Sequence, residues 1–451
     1  MLDGKRIVVD GYNLQLSQGT GVKTYGISLI KALQTLGADI SVLFGRDVPN
    51  LPNALLSEIL FFDIHEGQDK NRITRNPLIQ TASTAVGVGK IAAGMPVKAN
   101  RVTTSDVVVK GAVNSNFIGS VSSFIEQVDV FNAATCFDKA NGTFKLIKRA
   151  AEAQLPQDVA LFHATYPLPL SVKGAKKVTT IHDLIPLRLP YTTLDDKKFY
   201  YRLIRNCLKD SDRVITVSES SKQDILSIFE VDPDRVDVTY QPIALKPLTE
   251  EEGTEEAIAK YLRQYDLTPK NYILFVGAIE PKKNVGRVID AYAGLDTDMP
   301  LVIVGKKGWL WEDELKKVGI LNKPTKANPD GKEKVRLLEY LRSNDLRYLY
   351  SGAFCLVFPS LYEGFGLPPL EAMSFGCPVI TSNVSSLPEV CGDAALYVDP
   401  YDVNDIRKAM EKLLENEFLP QKLMYAGYQQ AQKFSAERYL EKLTQAYAKV
   451  L

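Results

Sequence analysis

The chain has 451 residues, 45% hydrophobic and 24% charged. That is too long for one ordinary core, and it carries no obvious low-complexity tract, so two or three globular domains are expected. Lys+Arg and Asp+Glu both number 54, which gives no bulk charge to attract nucleic acid.

The five cysteines (Cys136, Cys207, Cys355, Cys377 and Cys391) form no CxxC pair. They predict neither a disulfide framework nor a zinc site. The opening text, MLDGKRIVVDGYNL, runs straight into a strand pattern with charges on both sides. It does not read as a secretion signal, and no apolar run reaches transmembrane length. A reducing, cytoplasmic setting is expected, with membrane contact only from the surface.

The first predicted strand is Arg6–Asp10, followed by Gly19-Thr20-Gly21 and a helix over Tyr25–Leu36. A second strand is predicted at Asp39–Phe44. Strand, glycine-rich turn, helix and strand open a doubly wound parallel sheet. Residues 46–150 give no clear pattern. Short β-rich runs return at Ala160–His163, Lys177–Ile181 and Arg213–Val217.

Pro242, Pro247, an acidic run at 250–256 and Pro269 mark a linker. The rhythm then restarts. Strands are predicted at Tyr272–Val276, Leu301–Val304, Cys355–Phe358 and Val379–Thr381. Helices are predicted from Val285, near Lys332–Leu341 and from Pro368. Near-continuous apolar strands are typical of parallel sheets covered on both faces. The fold class is therefore α/β, with two Rossmann-like domains facing a cleft: residues 1–245, with an irregular insert at 46–150, and residues 246–435. A last helix, 436–451, carries Tyr439, Leu443 and Tyr447 on one face and is free to pack back on the first domain.

The segment Leu361–Met373, LYEGFGLPPLEAM, is the most informative. It follows the strand Cys355–Phe358. Pro368 and Pro369 suit the first turn of a helix, where a missing N–H costs nothing. A helix N-terminus at the carboxyl end of a parallel strand is a diphosphate site. Gly364 and Gly366 let backbone approach a ligand. Glu363 and Glu371 bracket the loop. Both suit a helix N-terminus electrostatically, and both can instead accept sugar or ribose hydroxyls.

This segment, with the following SFGCPVI, resembles the paired-glutamate motif of glycosyltransferase family 4, whose fold is called GT-B. The resemblance implies that Glu363 contacts the donor sugar and Glu371 the ribose, with the backbone of Phe365, Gly366 and Leu367 holding sugar and phosphates. GAIEPKKN at 277–284 is similar to the family's strand-end motif, and Lys283 matches its phosphate-binding lysine. Read alone, a paired lysine is more often a solvated turn. Many members carry arginine where this chain has Ala278, and Lys282 or Arg287 is the substitute. Gly21 matches the family's glycine loop.

Ile181-His182-Asp183-Leu184 follows a β-run. His182 has three readings: a structural pair with Asp183, a general base, or a hydrogen-bond donor to the sugar. The resemblance places a histidine near the transferred sugar here. His163 also ends a strand, and His65 lies in the unparsed region. Ser218–Lys222 reads as a helix cap.

The resemblance implies a retaining hexosyltransferase with no cofactor. It favours GDP-mannose over a UDP-sugar as donor, and a glycan or lipid-linked saccharide as acceptor in surface polysaccharide biosynthesis. Alternatives are a UDP-sugar transferase, or an epimerase-type or non-catalytic sugar-nucleotide binder. No metal site is assigned, because Asp232-Pro233-Asp234 and Asp296-Thr297-Asp298 read as turns before strands. Residues 71–110 mix Arg72, Arg75, Lys90, Lys98, Arg101 and Lys110 with Leu78, Ile79, Val86, Val88, Ile91 and Met95. They read either as a segment touching an anionic membrane at its inner face or as an ordinary solvated helix pair.

Overall fold

The βα rhythm is realised twice in the computed structural model. It describes residues 2–15, 21–48, 53–62, 88–104, 124–125, 127–324, 332–339, 341 and 343–451. In the first half the strands are β1 (Arg6–Asp10), β2 (Asp39–Phe44), β3 (Val97–Lys98), β4 (Asn100–Val102), β5 (Asp129–Asn132), β6 (Ala151–Gln154), β7 (Leu161–Ala164), β8 (Leu170–Val172), β9 (Lys176–Thr180), β10 (Arg213–Thr216) and β11 (Val236–Val238). Eight form one sheet in the order β11-β10-β9-β7-β1-β2-β5-β4, and β3-β6-β8 form a small second one. Among the described residues of the large sheet, only β4 runs antiparallel to its neighbour.

The second half contributes β12 (Ile273–Val276), β13 (Leu301–Val304), β14 (Val335–Leu338), β15 (Cys355–Phe358), β16 (Val379–Ser382) and β17 (Ala395–Val398). Their order is β14-β13-β12-β15-β16-β17, all parallel. Numbered from its own first strand this is 3-2-1-4-5-6. The order reverses between β12 and β15, and that crevice is where open α/β sheets bind ligands. β12, β13 and β15 are buried at every position, as their unbroken apolar text requires.

The helix expected near Lys332–Leu341 is instead strand β14 at its centre. Val335 pairs with Leu301 and Leu338 with Val304. The segment VRLL suits either element locally, and the exposed backbone edge of β13 decides it.

The C-terminal helix Ala436–Ala448 buries Tyr439, Leu443 and Tyr447. The Tyr447 hydroxyl is hydrogen-bonded to His163 Nδ1 on β7, and Lys449 forms an ion pair with Asp237 on β11. The end of the chain therefore packs against the first sheet.

Part of the 71–110 segment lies outside the described residues, including Arg72, Arg75, Leu78, Ile79, Val86 and Lys110. Of the rest, Ile91 is buried in a cluster with Val8, Phe131 and Phe162, so it is a core residue. Met95 is exposed, and Arg101 pairs with Asp129.

No helix among the described residues is long and apolar enough to cross a membrane.

Candidate functional site

Strands β12 and β15 deliver their loops to the same crevice. After β12, Pro281–Lys283 forms a single 3-10 turn that ends at Asn284 in the left-handed region, φ 64°. The Asn284 amide ties that turn down by donating to Pro359 O (2.8 Å) and Pro400 O (2.7 Å). Lys283 Nζ then reaches across to Glu363 Oε1 at 2.6 Å, over the Phe358 ring at 5.1 Å. Both side chains are largely buried, at 14% and 10% exposure.

Lys282 lies in the same crevice, 3.3 Å from Glu280. Burial works against its ammonium, but Glu280, Asp183 and Glu363 outweigh it and hold its pKa above the ordinary lysine range. Arg287 is directed elsewhere, to Asn284 Oδ1 (2.8 Å) and the Tyr401 ring. Of the two substitutes for the arginine missing at Ala278, the geometry therefore favours Lys282.

The Glu363 loop is held from behind. Its amide donates to Ser385 Oγ (3.0 Å), and Ser386 Oγ donates to Glu363 O (3.1 Å) and Phe365 O (2.7 Å). Gly366, at φ 105°, caps the helix Leu367–Ser374. Only glycine takes that conformation without strain. The amides of Phe365, Gly366 and Leu367 donate to no group among the described residues, which leaves three N–H groups at the positive end of a helix. In that helix Glu371 accepts from Tyr350 OH at 3.1 Å. Burial raises its pKa to about 7, against the lowering effect of Tyr350.

The first domain supplies the opposite wall. His182 follows β9, and its Nε2–H donates to Thr165 O at 2.9 Å. Burial lowers its pKa, so the ring is neutral and Nδ1 is an acceptor. The Tyr25 ring packs edge-on against it, centroids 4.7 Å apart, from the helix that starts at Gly21. A side chain added at Gly21 would meet nothing within 4 Å. Gly19 and Thr20 lie outside the described residues.

Asp183 is not paired with His182. Its carboxylate caps the next helix through Ile185 N at 3.0 Å. His163 is excluded from the cleft: Nε2 meets Thr180 Oγ1 at 2.7 Å, Nδ1 meets Tyr447, and burial lowers its pKa to about 3.

The two walls meet at Gly364. A Cβ there would lie 2.7 Å from His182 O and 3.1 Å from Asp183 Cβ. Ser218 Oγ caps its own helix through Ser221 N (3.0 Å) and also donates to Gly364 O (2.6 Å). Glu389 reaches back across the cleft to Glu219 N (2.7 Å) and Ser220 N (3.1 Å). The Ser218 cap is legible in the sequence, whereas the clamp between domains, whose partners lie 143 to 170 residues apart, is not.

Both Asp-x-Asp triplets precede strands (β11 and β13), which puts them at the amino edges of the sheets, away from the cleft. Asp232 caps the turn Pro233–Arg235. No group of three or more His, Cys, Asp or Glu among the described residues could hold a metal ion.

Residues 258–430 match the model for Glycosyl transferases group 1, and residues 130–246 match that for Glycosyltransferase Family 4. The chain is 34% identical over 281 residues to O-antigen chain mannosyltransferase B of Escherichia coli, covering 60% of this chain and 70% of that one. The chain belongs to glycosyltransferase family 4. The chain is also similar to O-antigen chain mannosyltransferase RfbU of Salmonella typhimurium, 30% identical over 56% of this chain and 64% of that one. The match to the serotype-specific mannosyltransferase WbdA of Escherichia coli, 32% identical, spans 60% of this chain but about a third of WbdA. The GT-B fold is shared with sucrose-phosphate synthase of Thermosynechococcus elongatus (TM-score 0.61, 18% identity, 99% and 98% of the two chains). It is also shared with HepE of Anabaena in complex with UDP and glucose (TM-score 0.62, 13% identity, 98% and 99%).

Proposed function

We propose that this glycosyltransferase moves a hexose from a sugar nucleotide to a saccharide acceptor with retention at the anomeric carbon. The observation that carries the proposal is the placement of Lys283 and Glu363 in the loops that follow β12 and β15, the two strands that flank the crevice, within 2.6 Å of each other.

The main electrostatic demand of the reaction is the charge that builds on the departing diphosphate. Lys283, Lys282 and the free amides of Phe365, Gly366 and Leu367 meet it. Glu371 takes ribose hydroxyls and Glu363 takes hydroxyls of the sugar. Neutral His182 accepts a hydrogen bond from a sugar hydroxyl at Nδ1. The acceptor oxygen bonds to the anomeric carbon while the bond from that carbon to the phosphate oxygen breaks. The acceptor proton goes to the departing phosphate. No side chain of the two motifs is assigned as a covalent nucleophile, and the reading calls for no cofactor.

Mannose from GDP-mannose is the donor this reading favours, supported by the mannosyltransferase names of the relatives. The acceptor is a glycan or lipid-linked saccharide of a surface polysaccharide, reached from the cytoplasmic face of an anionic membrane. A second reading, a UDP-glucose-type donor, is favoured by the UDP and glucose held in HepE.

Nucleotide release separates these readings. GDP freed from GDP-mannose, faster with a saccharide acceptor present, supports mannosyl transfer, and UDP freed from UDP-glucose supports the second reading. A sugar changed with no nucleotide freed would instead identify an epimerase, and no consumption of either donor a binding protein.

A further inference from the structure

The first domain also takes hold of the donor loop itself. Ser218, Ser221 and Asp224 recur at every third position along the start of the helix Glu219–Ile228, which puts them on one face. That face meets residues 362–365 of the second domain. Ser218 Oγ donates to Gly364 O at 2.6 Å. Ser221 Oγ shares its proton between Gly364 O (3.2 Å) and His182 O (2.9 Å). Asp224 Oδ2 accepts from the Tyr362 hydroxyl. Beside them Phe365 stacks on Tyr240, just beyond β11, with centroids 6.2 Å apart.

Asp224 is a buried carboxylate, 4% exposed, that the transfer reading leaves without a task. Its Oδ1 accepts from Arg188 Nε at 2.6 Å, and Arg188 also donates to Ser227 Oγ at 2.7 Å. Arg188 thus orients the carboxylate within the first domain, and Oδ2 faces Tyr362 across the boundary. A hydroxyl bonded to an ionised carboxylate is held roughly twice as strongly as by a neutral acceptor.

Tyr362 is the residue before Glu363. With Tyr362 and Gly364 both anchored, Glu363 has little room to shift between them, because neighbouring Cα atoms lie about 3.8 Å apart. The Glu363 carboxylate itself turns to Lys283 in the crevice.

We infer that Asp224 is a positioning residue: through Tyr362 it sets the donor loop, and with it Glu363, from the opposite domain. The inference rests on the transferase reading above and deepens it. Lys282, Lys283, Glu363, Glu371 and the amides of 365–367 all belong to the second domain, so donor affinity survives loss of the Asp224 contact. Rate does not. The same helix holds His182 O through Ser221, so it keeps the two walls in one register. A register error of about 1 Å costs on the order of a hundredfold in rate.

The test uses the intact chain with Tyr362→Phe, Asp224→Ala and the double variant. Tyr362→Phe removes one hydroxyl and keeps the ring. Glu389 and Gly364 O still hold the helix in that variant, so the domains stay together. In Asp224→Ala the Arg188 side chain, 38% exposed, returns to water. Nucleotide release is measured from GDP-mannose and from UDP-glucose, with methyl α-mannopyranoside as acceptor. Donor affinity is measured by titration calorimetry. Each single variant is expected to lower kcat about tenfold or more, with donor Kd within about twofold of wild type. The double variant is expected to fall no further than Asp224→Ala alone. Losses that multiply in the double variant, or a Kd that weakens as much as kcat falls, overturn the inference. Hydrogen exchange of the backbone at 361–367 is read on the same proteins without ligand, and is expected to quicken several-fold in each variant. Quickened exchange in the variants, with no nucleotide released by the wild type, removes the transferase reading and keeps the anchor. Unchanged exchange, or unchanged kcat in an active enzyme, removes the anchor alone.

Discussion

Lys283 Nζ and Glu363 Oε1 are 2.6 Å apart in the crevice between β12 and β15, and each is largely removed from water. The two groups neutralise one another until a diphosphate arrives to share the ammonium. Removing only Lys283 leaves a carboxylate buried without its partner. Lys283→Ala is therefore expected to lower unfolding stability by about 3 kcal/mol and to abolish transfer. The double variant with Glu363→Ala should regain part of the stability and none of the activity. Denaturant melts and nucleotide release on the three variants check this. Additive stability losses would mean the pair is not coupled.

Gly364 is the point where the domains touch. A Cβ there falls 2.7 Å from His182 O, so Gly364→Ala forces the walls apart. Displacement of about 1 Å at a reaction centre costs on the order of a hundredfold in rate. We expect kcat to fall tenfold or more, with the melting temperature within a few degrees of wild type. Unchanged kcat would show that the closed contact does not matter to turnover.

Glu371 gives a pH signature. Burial raises its pKa to about 7, above the usual 4.5. The fold favours the protonated acid, so this residue's contribution to stability is full below 4.5 and lost as pH rises through 7. Donor binding runs the other way, because the ionised carboxylate accepts both ribose hydroxyls. Nucleotide affinity should rise as pH passes through about 7, and Glu371→Gln should flatten that step and weaken binding about tenfold at the alkaline end. Titration calorimetry across the pH range reads both effects.

The C-terminal helix is held to the first sheet by the Tyr447 hydroxyl on buried His163. Tyr447→Phe leaves a ring nitrogen unsatisfied and should cost about 1–3 kcal/mol. Burial lowers the His163 pKa from 6.5 to about 3, so the unfolded chain binds the extra proton first. Its stabilising contribution is present above 6.5 and drains away as pH falls towards 3. Thermal melts at descending pH should show this loss.

Several parts of this arrangement were legible in the sequence for a physical reason. β12, β13 and β15 are short unbroken apolar runs, and the Gly, Pro and Glu spacing of 361–373 fixes the strand, the loop and the helix start together. β14 was not legible. VRLL carries no decisive period, and its pairing with β13 is a tertiary fact. β5 (DVFN) and β6 (AEAQ) were not legible either: four residues each, without a decisive period, and paired with strands 19 to 88 residues away in the sequence. The histidines divide on topology. His163 and His182 both end β-rich runs, but only the sheet order puts His163 under the C-terminal helix and His182 at the cleft. Lys282 needed the cleft to be closed before Asp183 and Glu363 could be seen to favour its charge.

The central claim is that a sugar nucleotide binds at Lys283, Glu363 and Glu371. Titration calorimetry of GDP-mannose and UDP-glucose into the wild-type chain and into Lys283→Ala tests it most directly. The account predicts saturable binding of one of the two donors by the wild type, weakened at least tenfold in the variant. Equal affinity in both proteins, or no binding of either donor to the wild type, would contradict it.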